Sequence, residues 1–300
     1  MINRSEPIHG LGRTSARLLT TLAGRDQYIF TTQDAVEILG VQPNQHGRAA
    51  VVKLLHDLVE RRWIERLEKG KYLIIPFAAG PRRIYTAHAF LIAAHLVEPY
   101  YIGYWSSLHY HGFTEQLSHT IFVATTKQKR ERTIAGVTYR FVTLTPRKFF
   151  GYRGEWIEGR QIQVADREKT IVDCLDHLEY CGGIVEAAKG LWYGVTEKRL
   201  DLDRLTEYAT RVGNRAVFKR LGYLAEVLEL PIEEYVARWR GEISRGYSLL
   251  DPTLGGGGER DGRWRLWVNV PREALLECGH DMFTICGNCS GEASSLMRRR

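Results

Sequence analysis

Residues 45 to 76 run an amphipathic helix straight into a basic hairpin, and few folds accept that junction. At about 100° per residue, Val51, Leu54, Leu55 and Leu58 fall on one narrow face of a helix from about Gln45 to Arg62. Gln45, His46, Ala49, Lys53 and His56 fall on the opposite face, which carries no acid in its first three turns, and Arg48 is a further candidate contact on this helix. The stretch that follows, "WIERLEKGKYLIIP", reads as two strands around Glu68, Lys69 and Gly70. Trp63, Ile64, Leu67, Tyr72 and Ile74 are its packing residues, and Arg66, Lys69 and Lys71 surround its tip.

Two shorter helices precede this pair. One spans about Thr14 to Gly24, with Ala16, Leu18, Leu19 and Leu22 as its apolar side. The other begins in "FTTQDAVEILG", where Thr31 or Thr32 can cap the first turn, Asp34 suits the positive helix end, and Gly40 is the stop. Helix, helix, turn, helix, basic hairpin is the order of a winged helix-turn-helix. Its third helix fits a DNA major groove about 12 Å wide, and its wing meets phosphates. On that reading Gln45, His46, Arg48, Ala49 and Lys53 face bases, while Arg66, Lys69 and Lys71 face the backbone. Winged helices also serve as protein-docking modules, and charged hairpin tips also serve solubility, so both readings stand at this point.

A chain of 300 residues suggests two domains. Its formal net charge of +7 and pI of about 9.1 favour a polyanionic partner, though weakly. No run of about 18 apolar residues spans a membrane, and "MINRSEPIHG" is no secretory signal, so the expected address is the cytoplasm. Five cysteines, three of them among the last 23 residues, argue against a disulfide scaffold.

After a linker candidate, "PFAAGPRR", the pattern becomes mixed. "SSLHYHGF" reads as a helix closed by Gly112, and "TIFVATT" and "VTYRFVTL" as strands. "KQKRER" between them offers Lys127, Lys129, Arg130 and Arg132 against Glu131, as a solvated turn or a second phosphate-contacting patch. Gly103, Ser106, Ser107, Leu108 and the His111-Gly112 pair lead into "ADREKTIVDCLD" and the "RLGYL" helix at Arg220 to Leu224. In that order, behind a winged helix, these marks resemble the AbiEi-type antitoxins of abortive-infection (type IV) toxin–antitoxin systems, over roughly residues 12 to 270. The resemblance implies an antitoxin that represses its own operon and binds inverted-repeat, double-stranded operator DNA. It also implies counteraction of a nucleotidyltransferase-type toxin. An inverted repeat would suit self-association, as a sequence-specific dimer or a cooperative pair, because half-site symmetry must be mirrored by the protein. The rival reading is a module that neutralises a toxin by direct contact without specific DNA binding.

Within this second part, Cys174 sits among Ile171, Val172, Leu175 and Leu178 and reads as a small core residue. Val217, Leu221, Leu224 and Leu228 form a core-facing stripe. Pro231 reads as the first position of a further helix, "GGGGERDG" as a flexible loop and "RWRLWVNV" as a late strand. His109, His111 and His119 lack a companion nucleophile or metal motif, and Asp166, Glu168 and Lys169 at a helix start are poor material for a nuclease, so no enzyme is expected. Cys278, His280, Cys286 and Cys289 could hold zinc, although Cys-x-His is an unusual spacing and the alternative is a tail with reactive thiols. The expected fold is therefore α+β: a winged helix-turn-helix over 12–78, a larger mixed α/β domain over 84–271, and a Cys-containing tail over 272–300.

Overall fold

The computed structural model describes residues 11–42, 44–75, 89–116, 118–134, 136–157 and 159–276. The linker and the tail cysteines Cys278, Cys286 and Cys289, with His280, lie outside them. The chain divides into two units, Met1–Glu98 and Pro99–Arg300. The architecture is α+β in both.

The first unit contains α1 (Arg13–Gly24), β1 (Ile29–Thr31), α2 (Thr32–Leu39), α3 (Gln45–Glu60), β2 (Ile64–Glu68), β3 (Lys71–Ile74) and α4 (Ala89–Leu96). This is the element order expected of a winged helix-turn-helix, with one strand, β1, and one helix, α4, more than the sequence suggested. β1 pairs antiparallel with β3, giving the sheet order β1-β3-β2. Three residues are too few to show a period, so β1 left no signal in the sequence. Thr31 ends that strand and also caps α2. Its hydroxyl accepts the Asp34 amide at 3.1 Å, and the Asp34 carboxylate accepts the Thr31 amide at 2.6 Å. Gly40 stops α2 with a left-handed φ of 64°. Asn44 caps α3 by accepting the Gly47 amide at 2.8 Å. That helix ends at Glu60, before the expected Arg62, whose φ of 55° breaks the spiral into β2. Leu18, Leu22, Phe30, Ala35, Val51, Leu55, Leu58, Trp63 and Tyr72 bury together as the core.

The second unit is built on a mixed sheet. In it are β4 (Tyr100–Ile102), β5 (Thr120–Thr125), β6 (Arg132–Ile134), β7 (Val137–Thr143), β8 (Tyr152–Ile157) and β9 (Arg160–Ala165), in the order β6-β7-β5-β4-β9-β8. α5 (Tyr104–Tyr110) precedes β5. A helical layer follows the sheet: α6 (Arg167–Asp176), α7 (Gly183–Thr196), α8 (Leu202–Val212), α9 (Arg215–Val227) and α10 (Glu233–Gly241). Cys174 and the Val217, Leu221, Leu224, Leu228 stripe are buried in its core, as the helical spacing predicted.

The end of the unit differs from expectation. Glu259–Asp261, expected in a flexible loop, is a strand, β11, antiparallel to β12 (Leu266–Val268), and β10 (Ser248–Leu249) completes a small sheet. "RWRLWVNV" yields only those three strand residues because Arg263–Arg265 is a turn, with Arg265 at φ 55°. The turn drives Trp264 fully into the core. Pro231 stands before α10 rather than at its first position, because Ile232 is the capping residue.

Candidate nucleic-acid interface

The facing of α3 is set by its own periodicity. Val51, Leu55 and Leu58 are at most 2% exposed. His46, Arg48, Ala49, Lys53 and His56 lie on the other side, where Arg48, Ala49, Val52, Lys53 and His56 line one shallow strip. Gln45 opens the helix, and its side chain falls outside the described residues. The strip includes one residue that sequence reasoning missed, Val52, which is 47% exposed. Its signal was an apolar residue off the apolar face, suited to a thymine methyl in a major groove. Among the described residues, Arg48 and Lys53 form no ion pair.

The hairpin is shorter and more tightly held than its sequence suggested. Gly70 turns at φ 78°, and its carbonyl accepts the Thr32 amide at 2.9 Å, so the tip is tied to the start of α2. Arg66 is exposed and Lys69 stands at the tip. Arg66 reaches the Glu68 carbonyl at 3.4 Å. Lys71 differs from its expected role: its ammonium donates to the His95 carbonyl of α4 at 2.5 Å and lies 4.0 Å from Glu68. Its first duty is to hold α4 to the sheet.

In the second unit, Lys127 and Arg130 stand at the β5–β6 connection and Arg132 on β6. The Lys129 ammonium lies 5.3 Å from the Phe141 ring. Glu131, the acid within that run, is taken by Arg140 at 2.5 Å. Its charge is thus compensated from within the sheet.

The residues that resemble a catalytic set have structural partners. Asp166 caps α6 by accepting the Lys169 amide at 2.8 Å and accepts the Tyr208 hydroxyl at 2.9 Å. Glu168 accepts the Asp201 amide at 2.8 Å. Lys169 is fully buried against Asp173, whose other oxygen accepts the Tyr101 hydroxyl at 2.8 Å. Burial pushes the Asp173 carboxyl up, against the opposing pull of Lys169. His111 is buried, with Nε2 2.8 Å from the Ala165 carbonyl, and burial lowers its pKa to about 4; His109 and His119 are exposed.

The "RLGYL" run also resolves into packing. The buried Arg220 guanidinium donates to the carbonyls of Leu175, Leu249 and Leu250 at 2.6, 3.1 and 3.0 Å, tying α6 and β10 to α9. Leu221 and Leu224 are core. Gly222 lies under Trp264, where an added Cβ would fall 1.9 Å from the indole. Among the described residues no His, Cys, Asp or Glu cluster could hold a metal ion, and no helix is long and apolar enough to cross a membrane.

Residues 17–75, from α1 to the end of β3, match the model of a family described as "Transcriptional regulator, AbiEi antitoxin". The resemblance to the AbiEi antitoxins therefore holds over residues 17–75. The chain also shares its fold with the RV2827C protein from Mycobacterium tuberculosis, at a TM-score of 0.65 and 13% identity, covering 89% of this chain and 95% of that one. No curated protein matches it.

Proposed function

We propose that this chain is an AbiEi-type antitoxin and autorepressor that binds inverted-repeat operator DNA through its first unit and counteracts a nucleotidyltransferase-type toxin. The observation that carries the DNA reading is the outer strip of α3. Its arginine and lysine have no carboxylate partner among the described residues, and its one large apolar member, Val52, is exposed between them. Arg48, Val52 and Lys53 read base edges, with Gln45, His46 and Ala49 around them, while Arg66 and Lys69 bind phosphate. Lys127, Arg130 and Arg132 supply a second phosphate-contacting patch. The family match supports the regulator and antitoxin roles. The toxin's identity comes from the resemblance alone.

The test is binding of the purified chain to the DNA upstream of its own reading frame, titrated with salt. A phosphate binder loses affinity with a log–log slope of about −0.9 per neutralised phosphate, whereas a docking module shows no specific shift at any salt. A nucleotidyltransferase in the neighbouring reading frame would support the antitoxin half.

A further inference from the structure

Five large hydrophobic side chains among the described residues are exposed, and two of them, Tyr152 at 37% and Trp156 at 71%, stand on the single strand β8. β8 is the outer strand of the six-stranded sheet, antiparallel to β9 on one side and, among the described residues, without a neighbouring strand on the other. A sheet edge of this length, free of proline and carrying exposed aromatics, is a template for another strand. The opposite edge, β6, is only three residues long and begins with Arg132.

We propose that β8 joins edge to edge with β8 of a second copy of this chain. Antiparallel pairing of identical strands places a two-fold axis normal to the sheet, so residues that face each other share a face of the sheet, and only registers centred on a residue are allowed. Centred on Gly154, "YRGEW" is complementary to itself. Arg153 of each copy meets Glu155 of the other, and Tyr152 of each meets Trp156 of the other. Sliding the axis to Arg153 or to Glu155 places that charge opposite its own copy, which disfavours both registers. Arg153 already reaches Glu155 within its own strand at 2.5 Å. In the pair, two arginines and two glutamates alternate on one face, and four aromatic rings lie on the other. The edge therefore selects its own copy over a partner of unrelated charge. The use of such a pair, matching two half-sites, rests on the operator reading above; the association itself does not.

The experiment is sedimentation equilibrium of the full chain without DNA, so that its outcome is separate from that of DNA binding. Wild type is expected to self-associate reversibly. Trp156→Lys and Arg153→Glu should each raise the dissociation constant about ten- to a hundredfold. Circular dichroism and melting should stay unchanged, because both side chains are exposed. The double exchange Arg153→Glu/Glu155→Arg restores both cross-copy pairs and should recover most of the lost association. A wild-type chain that stays monomeric at its highest soluble concentration overturns the proposal. So does association that neither single substitution weakens, and so does a double exchange no better than Arg153→Glu alone.

Discussion

Gly222→Ala sets two effects of opposite sign against each other. In the interior of α9, alanine should stabilise the helix by about 0.5–1 kcal/mol through lower backbone entropy in the unfolded chain. At this position, however, the new methyl would lie 1.9 to 2.4 Å from three carbons of the Trp264 ring. That ring is fully buried and donates its Nε1–H to Glu226 at 2.8 Å, so any movement of it disturbs the core. If the indole shifts, overpacking costs about 1–3 kcal/mol. If it is expelled, the loss of about 150–250 Å² of buried aromatic surface costs about 4–6 kcal/mol at about 25 cal/mol per Å². The packing cost wins, with a net destabilisation of up to about 2.5 kcal/mol if the indole shifts and about 3–5 kcal/mol if it is expelled, and a fall of up to roughly 20 °C in the unfolding midpoint of the second unit. The assay is thermal unfolding of wild type, Gly222→Ala, Trp264→Leu and the double variant. With leucine in place of the indole the clash is gone, so Gly222→Ala should then change stability by no more than about 1 kcal/mol. A rise in the midpoint for Gly222→Ala alone would show that helix propensity governs and that the indole does not lie on this glycine.

Other outcomes follow from the same packing. Leu55→Ala should destabilise the first unit by about 2–5 kcal/mol in a melting experiment, because the side chain is fully buried. Lys71→Ala should cost about 1 kcal/mol of first-unit stability and leave DNA affinity nearly unchanged, in contrast to Lys69→Ala, since the Lys71 ammonium is committed to His95. Lys169→Met, which strands a buried carboxylate, should cost about 3–5 kcal/mol, and simultaneous Asp173→Leu should recover much of it in the same melt. His111 is held neutral in the fold, so the folded state resists the proton that the unfolded state accepts near pH 6.5. Its contribution is intact above that pH and is lost as pH falls towards about 4, amounting to about 3 kcal/mol. His111→Gln should flatten that part of a pH–stability profile.

The sequence carried α3 well because one stretch of 16 residues holds several turns of one period, and burial of Val51, Leu55 and Leu58 leaves a single choice of outer face. It carried the hairpin's strands but not the fate of Lys71, since the partner carbonyl of His95 lies 24 residues away. The small terminal sheet escaped because the turn at Arg263–Arg265 hides a core tryptophan inside an apparent alternation. The buried Lys169–Asp173 pair was legible only as a four-residue spacing inside an apolar run, whereas the acids beside it fitted the simpler expectation of a helix start. Arg220 and Gly222 stood out as parts of a motif, and only the fold supplies their reasons, three carbonyls for one and an indole for the other.

The most direct measurement is the salt dependence of binding to the upstream DNA, for wild type and for a variant with Arg48, Lys53, Arg66 and Lys69 all changed to alanine. None of the four side chains is buried, so the variant should fold. The expected result is specific binding by wild type, with the variant's log–log salt slope shallower by about 2 units, nearly one for each of the phosphates that Arg66 and Lys69 no longer neutralise, and with discrimination against random DNA abolished by the loss of Arg48 and Lys53. Equal affinity and equal slope in the two proteins would contradict the assignment of this face to DNA.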